Sequence, residues 1–458
     1  MHVSLCHRLH ATCNKSPIFA SKMELYRRNC MANIVQSVRG TRDFYPEQMA
    51  VRNWLNSKIR YVSQLFGYQE YDGPFLERLE LYAAKSGEEL VKEQAYVFED
   101  RGGEEIALRP ELTPSLARMV AQRQGQLVYP MRWWSFGPFW RYEKPQKGRT
   151  REFFQWNIDI IGIDSIEADA EIVAIAASFL KQVGLTADQV GVFVNDRKFM
   201  DEQLAKLGVC SVDSRRKVFQ LIDRRDKLRR DAWVELGSSY GLSDEVITGV
   251  ESLISNKDLW KSSSNLTKLF ELTSKMGIGE YVHFDPQIIR GLDYYTAVVF
   301  EAKTIGKGGR AILGGGHYDN LVEAVGGAPL PAVGFAMGDV MIATVLSEAG
   351  LLGDTAKKSA EIFVTAFEPA NIPESVELAS ELRSAGFRVL TPAEPAKLQK
   401  QLKYADRYEI PIVIIQGPDE NATSSYTLKN LLLRTQVTVN KADLVPTLNV
   451  MLADGTSV

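Results

Sequence analysis

Between Arg132 and Glu152 six cations (Arg132, Arg141, Lys144, Lys147, Arg149, Arg151) accompany two carboxylates (Glu143, Glu152), while the whole chain carries a formal charge of −3. An aromatic run, Trp133 to Trp140, leads into Arg141. A basic loop broken by Pro145 and Gly148 follows, then a second apolar run, Phe153 to Ile163. This pattern predicts two strands joined by a cationic hairpin loop. Arg141 leaves the first strand where the sheet is dry, so its planar fork can hold a phosphate, and the loop cations can face a second polyanion. In the second run Gln155, Asn157 and Asp159 alternate with Phe154, Trp156, Ile158 and Ile160, which puts three polar groups on one strand face. Either that face is merely exposed, or it shares a cavity with Arg141. The large aromatics opposite favour the cavity.

Three other segments hold polar residues that a plain core would not choose. In Leu108-Arg-Pro-Glu-Leu-Thr113, Glu111 and Thr113 follow a strand. Alone they read as a helix N-terminus with an acid near the positive dipole end. In the run from Val282 to Thr296, Arg290-Gly291 interrupts apolar residues beside Asp293, Tyr294 and Tyr295. An Arg–Asp ion pair with packed tyrosines is the structural alternative there. The glycines from Gly308 to Gly316, and those at Gly334 and Gly338, permit close backbone approach to a ligand but are weak alone. Neither a phosphate-loop nor a dinucleotide fingerprint is present.

The elements that must position these residues follow from periodicity. Pro46 to Phe66 has the spacing of an amphipathic helix stopped by Gly67. Tyr68 to Asp72 reads as a short strand, and Tyr96–Phe98 with Ile106–Leu108 as a hairpin. Thr113 to Gln122 and Ala168 to Val183 read as helices, Val190 to Val194 as a strand. Residues 199 to 279 turn to short charged helices: Arg215–Leu228, Asp244–Ser255 and Ser264–Met276. Strands return at Tyr281–Phe284 and Thr296–Phe300, before the glycine cluster and a strand-to-helix unit, Ala332–Leu346. Beyond a linker, Gly350 to Ala360, the order βαβαβ predicts a separate small α/β domain. The first part predicts a mainly antiparallel sheet with helices on one face, an α+β fold.

At 458 residues, 45% hydrophobic and 24% charged, the chain suits two or three soluble globular domains. No apolar run is long enough to span a membrane. A pI near 6.1 argues against a general nucleic-acid coat but not against a local basic contact. Three of four cysteines and three of five histidines fall in the first thirty residues, which leaves no Cys/His zinc site in the body. That basic, acid-poor start reads either as a transit peptide or as a disordered extension or upstream start before Met31.

Together the segments resemble the histidyl-tRNA synthetases, class II aminoacyl-tRNA synthetases, from about Gln36 to the C-terminus. Arg39-Gly-Thr-Arg-Asp-Phe44, Arg141-Tyr-Glu143 with its loop, Arg290-Gly-Leu-Asp-Tyr-Tyr-Thr296, Ala332–Gly338 and Lys403-Tyr-Ala-Asp406 carry the resemblance. It implies a class II synthetase-like antiparallel sheet flanked by helices. The implied layout is a basic extension (1–30), a catalytic core in two parts (31–198 and 281–349), a helical insertion (199–280), a linker (350–360) and an anticodon-binding-like domain (361–458). It implies ATP as substrate with Mg²⁺, L-histidine and tRNA(His) as partners, a homodimer, and a cytoplasmic location, or mitochondrion or plastid if residues 1–30 are a transit peptide. By resemblance Glu111 and Thr113 hold the amino group of histidine, Gln155 positions the amino acid, and Asp159, Tyr294 and Tyr295 line the imidazole pocket. Arg141 and Arg290 are the catalytic pair at the α-phosphate, Glu143 lies near the adenine, and Arg149 is an ATP-binding candidate. No metal-ligating side chains are implied.

Four departures stand out. Asp159 replaces a common Glu, Phe154 a common His, His317 a common Arg, and Met341 the usual ATP-contacting arginine of the third motif. Other cations, Arg149 or Arg310, are then expected to grip ATP. The rival reading is a non-catalytic histidine-sensing paralogue, the regulatory subunit of ATP phosphoribosyltransferase; a scaffold that binds tRNA or another partner without activity is a third.

Overall fold

The computed structural model describes residues 34–83, 93–143, 148, 150–289, 295–306, 309–352 and 360–454. It divides into two compact units, with the boundary between Gly353 and Asp354.

In the first unit, helix α1 (Pro46–Leu65) starts on a proline with Glu47 in its first turn, and buries Leu55, Ile59 and Val62 at helical spacing. Strands β1 (Gln69–Glu70) and β2 (Leu76–Arg78), helix α2 (Leu79–Ala83), strands β3 (Tyr96–Glu99) and β4 (Glu105–Leu108) and helix α3 (Thr113–Arg123) follow. Next come the long pair β5 (Met131–Trp140) and β6 (Glu152–Ile161), helix α4 (Ile166–Gln182) and β7 (Val190–Asp196). Five helices then run in succession: α5 (Arg197–Lys206), α6 (Val212–Asp223), α7 (Arg230–Ser239), α8 (Asp244–Ser255) and α9 (Ser264–Lys275). Strands β8 (Val282–Phe284), β9 (Val298–Thr304) and β10 (Ala311–Tyr318), helix α10 (Leu321–Ala324), β11 (Ala332–Gly338) and α11 (Asp339–Glu348) complete the unit.

Eight strands form one sheet in the order β1-β5-β6-β11-β10-β9-β7-β8, antiparallel except at its two ends, where β1–β5 and β7–β8 are parallel. Its back face is dry. Trp134, Trp156, Ile158, Ile160, Phe335 and Phe300 join one core with α1, α4 and α11. Each such side chain contributes about 1.5–3 kcal/mol on burial. Helix α4 is fixed there by Ser165, whose side chain accepts from the Ala168 N–H, and by buried small residues that allow close packing. The expected one-sided helix cover is incomplete. Helices α3 and α10 also cover one end of the front face, over Met131, Ile161, Ala332 and Tyr318.

One local expectation needs correction, and one segment gains an assignment. Gly314, Gly315 and Gly316 lie inside β10, paired on both sides. The helical segment has five members, with α5 and α7 unforeseen, and the helix predicted over Arg215–Leu228 ends at Asp223. Its helices share a separate core around Trp233, Val218, Ile247 and Leu266.

The second unit opens with the predicted βαβαβ: β12 (Ile362–Val364), α12 (Ile372–Ser384), β13 (Val389–Leu390), α13 (Leu398–Arg407) and β14 (Ile412–Ile415). Helix α14 (Pro418–Thr423), the hairpin β15 (Ser425–Asn430) and β16 (Thr435–Asn440), and α15 (Lys441–Asp454) follow, giving a five-stranded sheet, β13-β12-β14-β15-β16.

Candidate active site

The front face of the large sheet carries the predicted polar set over a floor of small residues. Register places Trp133, Asp159, Gly334, Gly316 and Val299 in one row across β5, β6, β11, β10 and β9. The adjoining row is Ser135, Asn157, Ala336, Gly314 and Glu301. A Cβ at Gly334 would overlap Asp159 Oδ1, and one at Gly316 would stand 2.8 Å from the Tyr295 ring. Both close approaches need glycine.

Asp159 is 5% exposed and accepts a hydrogen bond from the Tyr318 hydroxyl at 2.7 Å. Burial pushes its carboxyl up to about 7, against the opposing pull of Tyr318. Two buried polar atoms lie on the same face without a protein partner among the described residues: the Asn157 Nδ2 and the hydroxyl of Tyr71, whose ring packs 5.3 Å from Trp133. The charge of Asp159 also reaches Tyr71, whose hydroxyl burial drives far from ionisation. An acid, an amide donor and hydroxyls around a small-residue floor suit a compact polar ring with N–H groups. Neither Tyr71 nor Tyr318 carried a sequence signal, because each meets the site only through tertiary contact.

Arg141 follows β5 on the same face. Its Nε donates to the Pro110 carbonyl at 2.9 Å, and its guanidinium lies 5.3 Å from the Phe153 ring centroid. Gln94, Arg141, Glu143, Gly148, Phe153 and Met341 line a cavity of about 380 Å³. Met341 thus forms part of the wall shared by Arg141 and Glu143. A larger cavity, about 810 Å³, lies between α6 and β9. Asp223, Asp226 and Glu301 there oppose Lys227 and Lys303, so it lacks the surplus positive charge a triphosphate needs. The smaller cavity sets one cation, Arg141, against one acid, Glu143, and is the one that the predicted phosphate-binding arginine lines.

Arg310 does not line it. Its guanidinium forms a forked pair with Glu348, at 3.0 and 2.7 Å, near the last turn of α11. Of the two cations expected to grip ATP, Arg149 or Arg310, the latter is thus paired with Glu348. Arg149, Arg290 and Tyr294 lie outside the described residues. Glu111 lies two residues before α3, Leu112 is the N-cap, and Thr113 is the first helical residue. Gln155 pairs with Gly338 and Gly137 beside the two rows above.

Sequence reasoning passed over Arg109. Fully buried, it bonds to Asp72 at 2.5 Å, to the Gly73 carbonyl at 3.0 Å and to the Pro138 carbonyl at 2.9 Å, between the rings of Phe75 and Phe139. It ties the Pro110–Thr113 segment to β5. The only signal was an arginine next to Pro110.

The fold is that of a class II synthetase. The solved histidyl-tRNA synthetase from Nostoc sp. PCC 7120 is similar at a TM-score of 0.79, with 24% identity, 91% of this chain and 99% of that chain covered. A family model for histidyl-tRNA synthetase matches residues 40–340, and one for the anticodon binding domain matches residues 359–450. The histidine–tRNA ligase of Leptospira biflexa is 35% identical over 420 residues, 88% of this chain and 94% of the relative. The chloroplastic/mitochondrial histidine–tRNA ligase of Arabidopsis thaliana is 38% identical over 421 residues, 90% of this chain and 86% of the relative. The chain belongs to the histidyl-tRNA synthetase family.

Proposed function

We propose that this chain ligates L-histidine to tRNA(His) through histidyl-adenylate. A carboxylate oxygen of histidine attacks the α-phosphorus of ATP, the bond to the bridging oxygen breaks, and pyrophosphate leaves. A terminal ribose hydroxyl of tRNA then attacks the aminoacyl carbonyl, and AMP leaves. The observation that carries this reading is one sheet face holding both a buried acid among tyrosines and a cavity lined by Arg141. No side chain is a nucleophile; positioning and electrostatics supply the rate.

In this reading Asp159, Tyr294 and Tyr295 take the imidazole, Glu111 and Thr113 the amino group, and Gln155 the amino acid backbone. An unpaired Asp159 would penalise analogues without a ring N–H. Arg141 and Arg290 bracket the α-phosphate, Glu143 meets the adenine, and Arg149 takes part of the charge that Met341 cannot. Mg²⁺ enters with ATP as the counter-ion of its phosphates.

The second unit serves the tRNA. Lys397, Lys400, Lys403 and Arg407 sit at or on α13, beside the rings of Tyr404 and Tyr408, whose centroids are 4.5 Å apart. Cations with exposed rings suit a nucleic-acid stem and its unpaired bases. A homodimer is part of the reading. So is a cytoplasmic location, with an organelle as the alternative if residues 1–30 are a transit peptide. Among the described residues no helix is long and apolar enough to cross a membrane.

Histidine-dependent ATP–pyrophosphate exchange tests the function and separates it from the regulatory-subunit reading. Arg290→Ala should reduce exchange at least about a hundredfold, as loss of a charge stabiliser does. A near-normal rate in that variant would defeat the assignment of Arg290.

A further inference from the structure

His317 stands on β10 between the two residues that the pocket takes from that strand. Gly316 lies beneath the Tyr295 ring, and Tyr318 donates to Asp159. Strand alternation turns the imidazole to the helix-covered face, where it is 1% exposed. Its Nδ1 is 2.9 Å from Asp169 Oδ1, in the first turn of α4. Its Nε2 is 3.1 Å from Asp319 Oδ1, just after β10, and 3.6 Å from Asp164 Oδ1, before α4. Ionised carboxylates only accept, so both ring nitrogens find partners only when both carry protons. Burial works against that charge, but Asp169, Asp319 and Asp164 outweigh it and hold the ring protonated to higher pH than usual. Burial raises the Asp169 carboxyl above its ordinary value, the pairing with His317 opposes that rise, and Asp196, at the end of β7, and Asp164 add to it. The backbone completes the cluster: the His317 carbonyl accepts the Thr296 N–H at 2.8 Å, tethering the segment that carries Tyr295. Glycines at 314, 315 and 316 leave β10 few side chains to set its tilt.

We propose that His317 is a positioning residue for amino-acid recognition. Clamped as an imidazolium between α4 and the turn after β10, it holds that strand so that Tyr318 and Tyr295 meet the substrate ring. The inference rests on the histidine pocket assigned above.

The test is histidine-dependent ATP–pyrophosphate exchange from about pH 6 to about pH 9, spanning the range where a raised imidazole titrates. KM is measured separately for histidine and for ATP in wild type, His317→Gln, His317→Arg and Asp319→Asn. His317→Gln should raise KM for histidine roughly tenfold or more, as loss of a charge-assisted hydrogen bond predicts, and leave KM for ATP within about twofold. In wild type, KM for histidine should climb as the ring loses its proton. His317→Arg keeps a fixed cation, so it should restore a low KM and flatten that climb. Asp319→Asn, at the solvent edge of the cluster, should shift the climb to lower pH in a folded chain. A wild-type KM for histidine in His317→Gln, an equal rise in both KM values, or unchanged pH profiles in His317→Arg and Asp319→Asn would overturn the proposal. A wild-type chain without histidine-dependent exchange would overturn the function instead.

Discussion

Asp159 is held in a conflict that a single substitution can expose. Its carboxyl has an ordinary value of 3.8 and rises to about 7 in the fold. Between those values the folded chain keeps a proton that the unfolded chain releases. Burial of Asp159 therefore costs stability increasingly as pH rises from about 4 to about 7, and the full cost is present above that. Asp159→Asn removes the charge, so it should raise the thermal midpoint of the ligand-free protein more at about pH 8 than at about pH 5, measured by calorimetry. The same variant should raise KM for histidine roughly tenfold or more, because an ionised acceptor is lost. In wild type, histidine affinity should fall as pH drops through about 7. The sequence made Arg141, Gln155 and Asp159 legible as residues of one face, because alternation is a local property. It could not reveal Tyr318, 159 positions from its partner, nor the capture of Arg310 by Glu348. Both depend on side-chain reach across a folded sheet.

At the scale of elements, β10 shows why a strand can hide. β5 and β6 declared themselves by alternating large apolar and polar residues. β10 carries three consecutive glycines, which have poor strand propensity and no side-chain pattern. Its identity comes from pairing on both edges, which composition does not encode. Helices α5 and α7 escaped for a different reason: one is rich in charge and the other includes Gly237 and two serines, so local propensity was ambiguous. The β11 floor can be tested directly. Gly334→Ala places a methyl group into Asp159 Oδ1 and 2.5 Å from the Ile158 carbonyl. Overpacking of this kind costs about 1–3 kcal/mol. The expected result is a lower thermal midpoint together with loss of histidine-dependent exchange, whereas a variant with wild-type KM for histidine would show that the acid can retreat without consequence.

The whole molecule consists of two units, the second matching the anticodon binding domain family. Each unit has its own buried core, the second built around Ile362, Ile412, Leu428 and Leu448. A chain ending at residue 353 should retain histidine-dependent exchange within about tenfold while losing most charging of tRNA(His), because binding energy from a remote part of the substrate is then absent. Assaying both steps on that chain separates the outcomes; equal loss of both would mean that the second unit also supports the first reaction. The division itself was legible, since a βαβαβ order after an antiparallel region signals a different layer plan. The later hairpin and final helix were not, for want of a distinct pattern.

The small-residue floor beneath the acid also limits how far this enzyme can be retrained. Across Gly334 and Gly316 the surface that the proposed pocket presents to an amino acid is peptide backbone, which has no side chain to exchange and no space for a new one. A laboratory selection for an unnatural substrate has only the rim at its disposal: Gln155, Asp159, Tyr295 and their immediate supports. Libraries randomised at the floor should return mostly unfolded or inactive clones, and the adaptable codons should cluster around it.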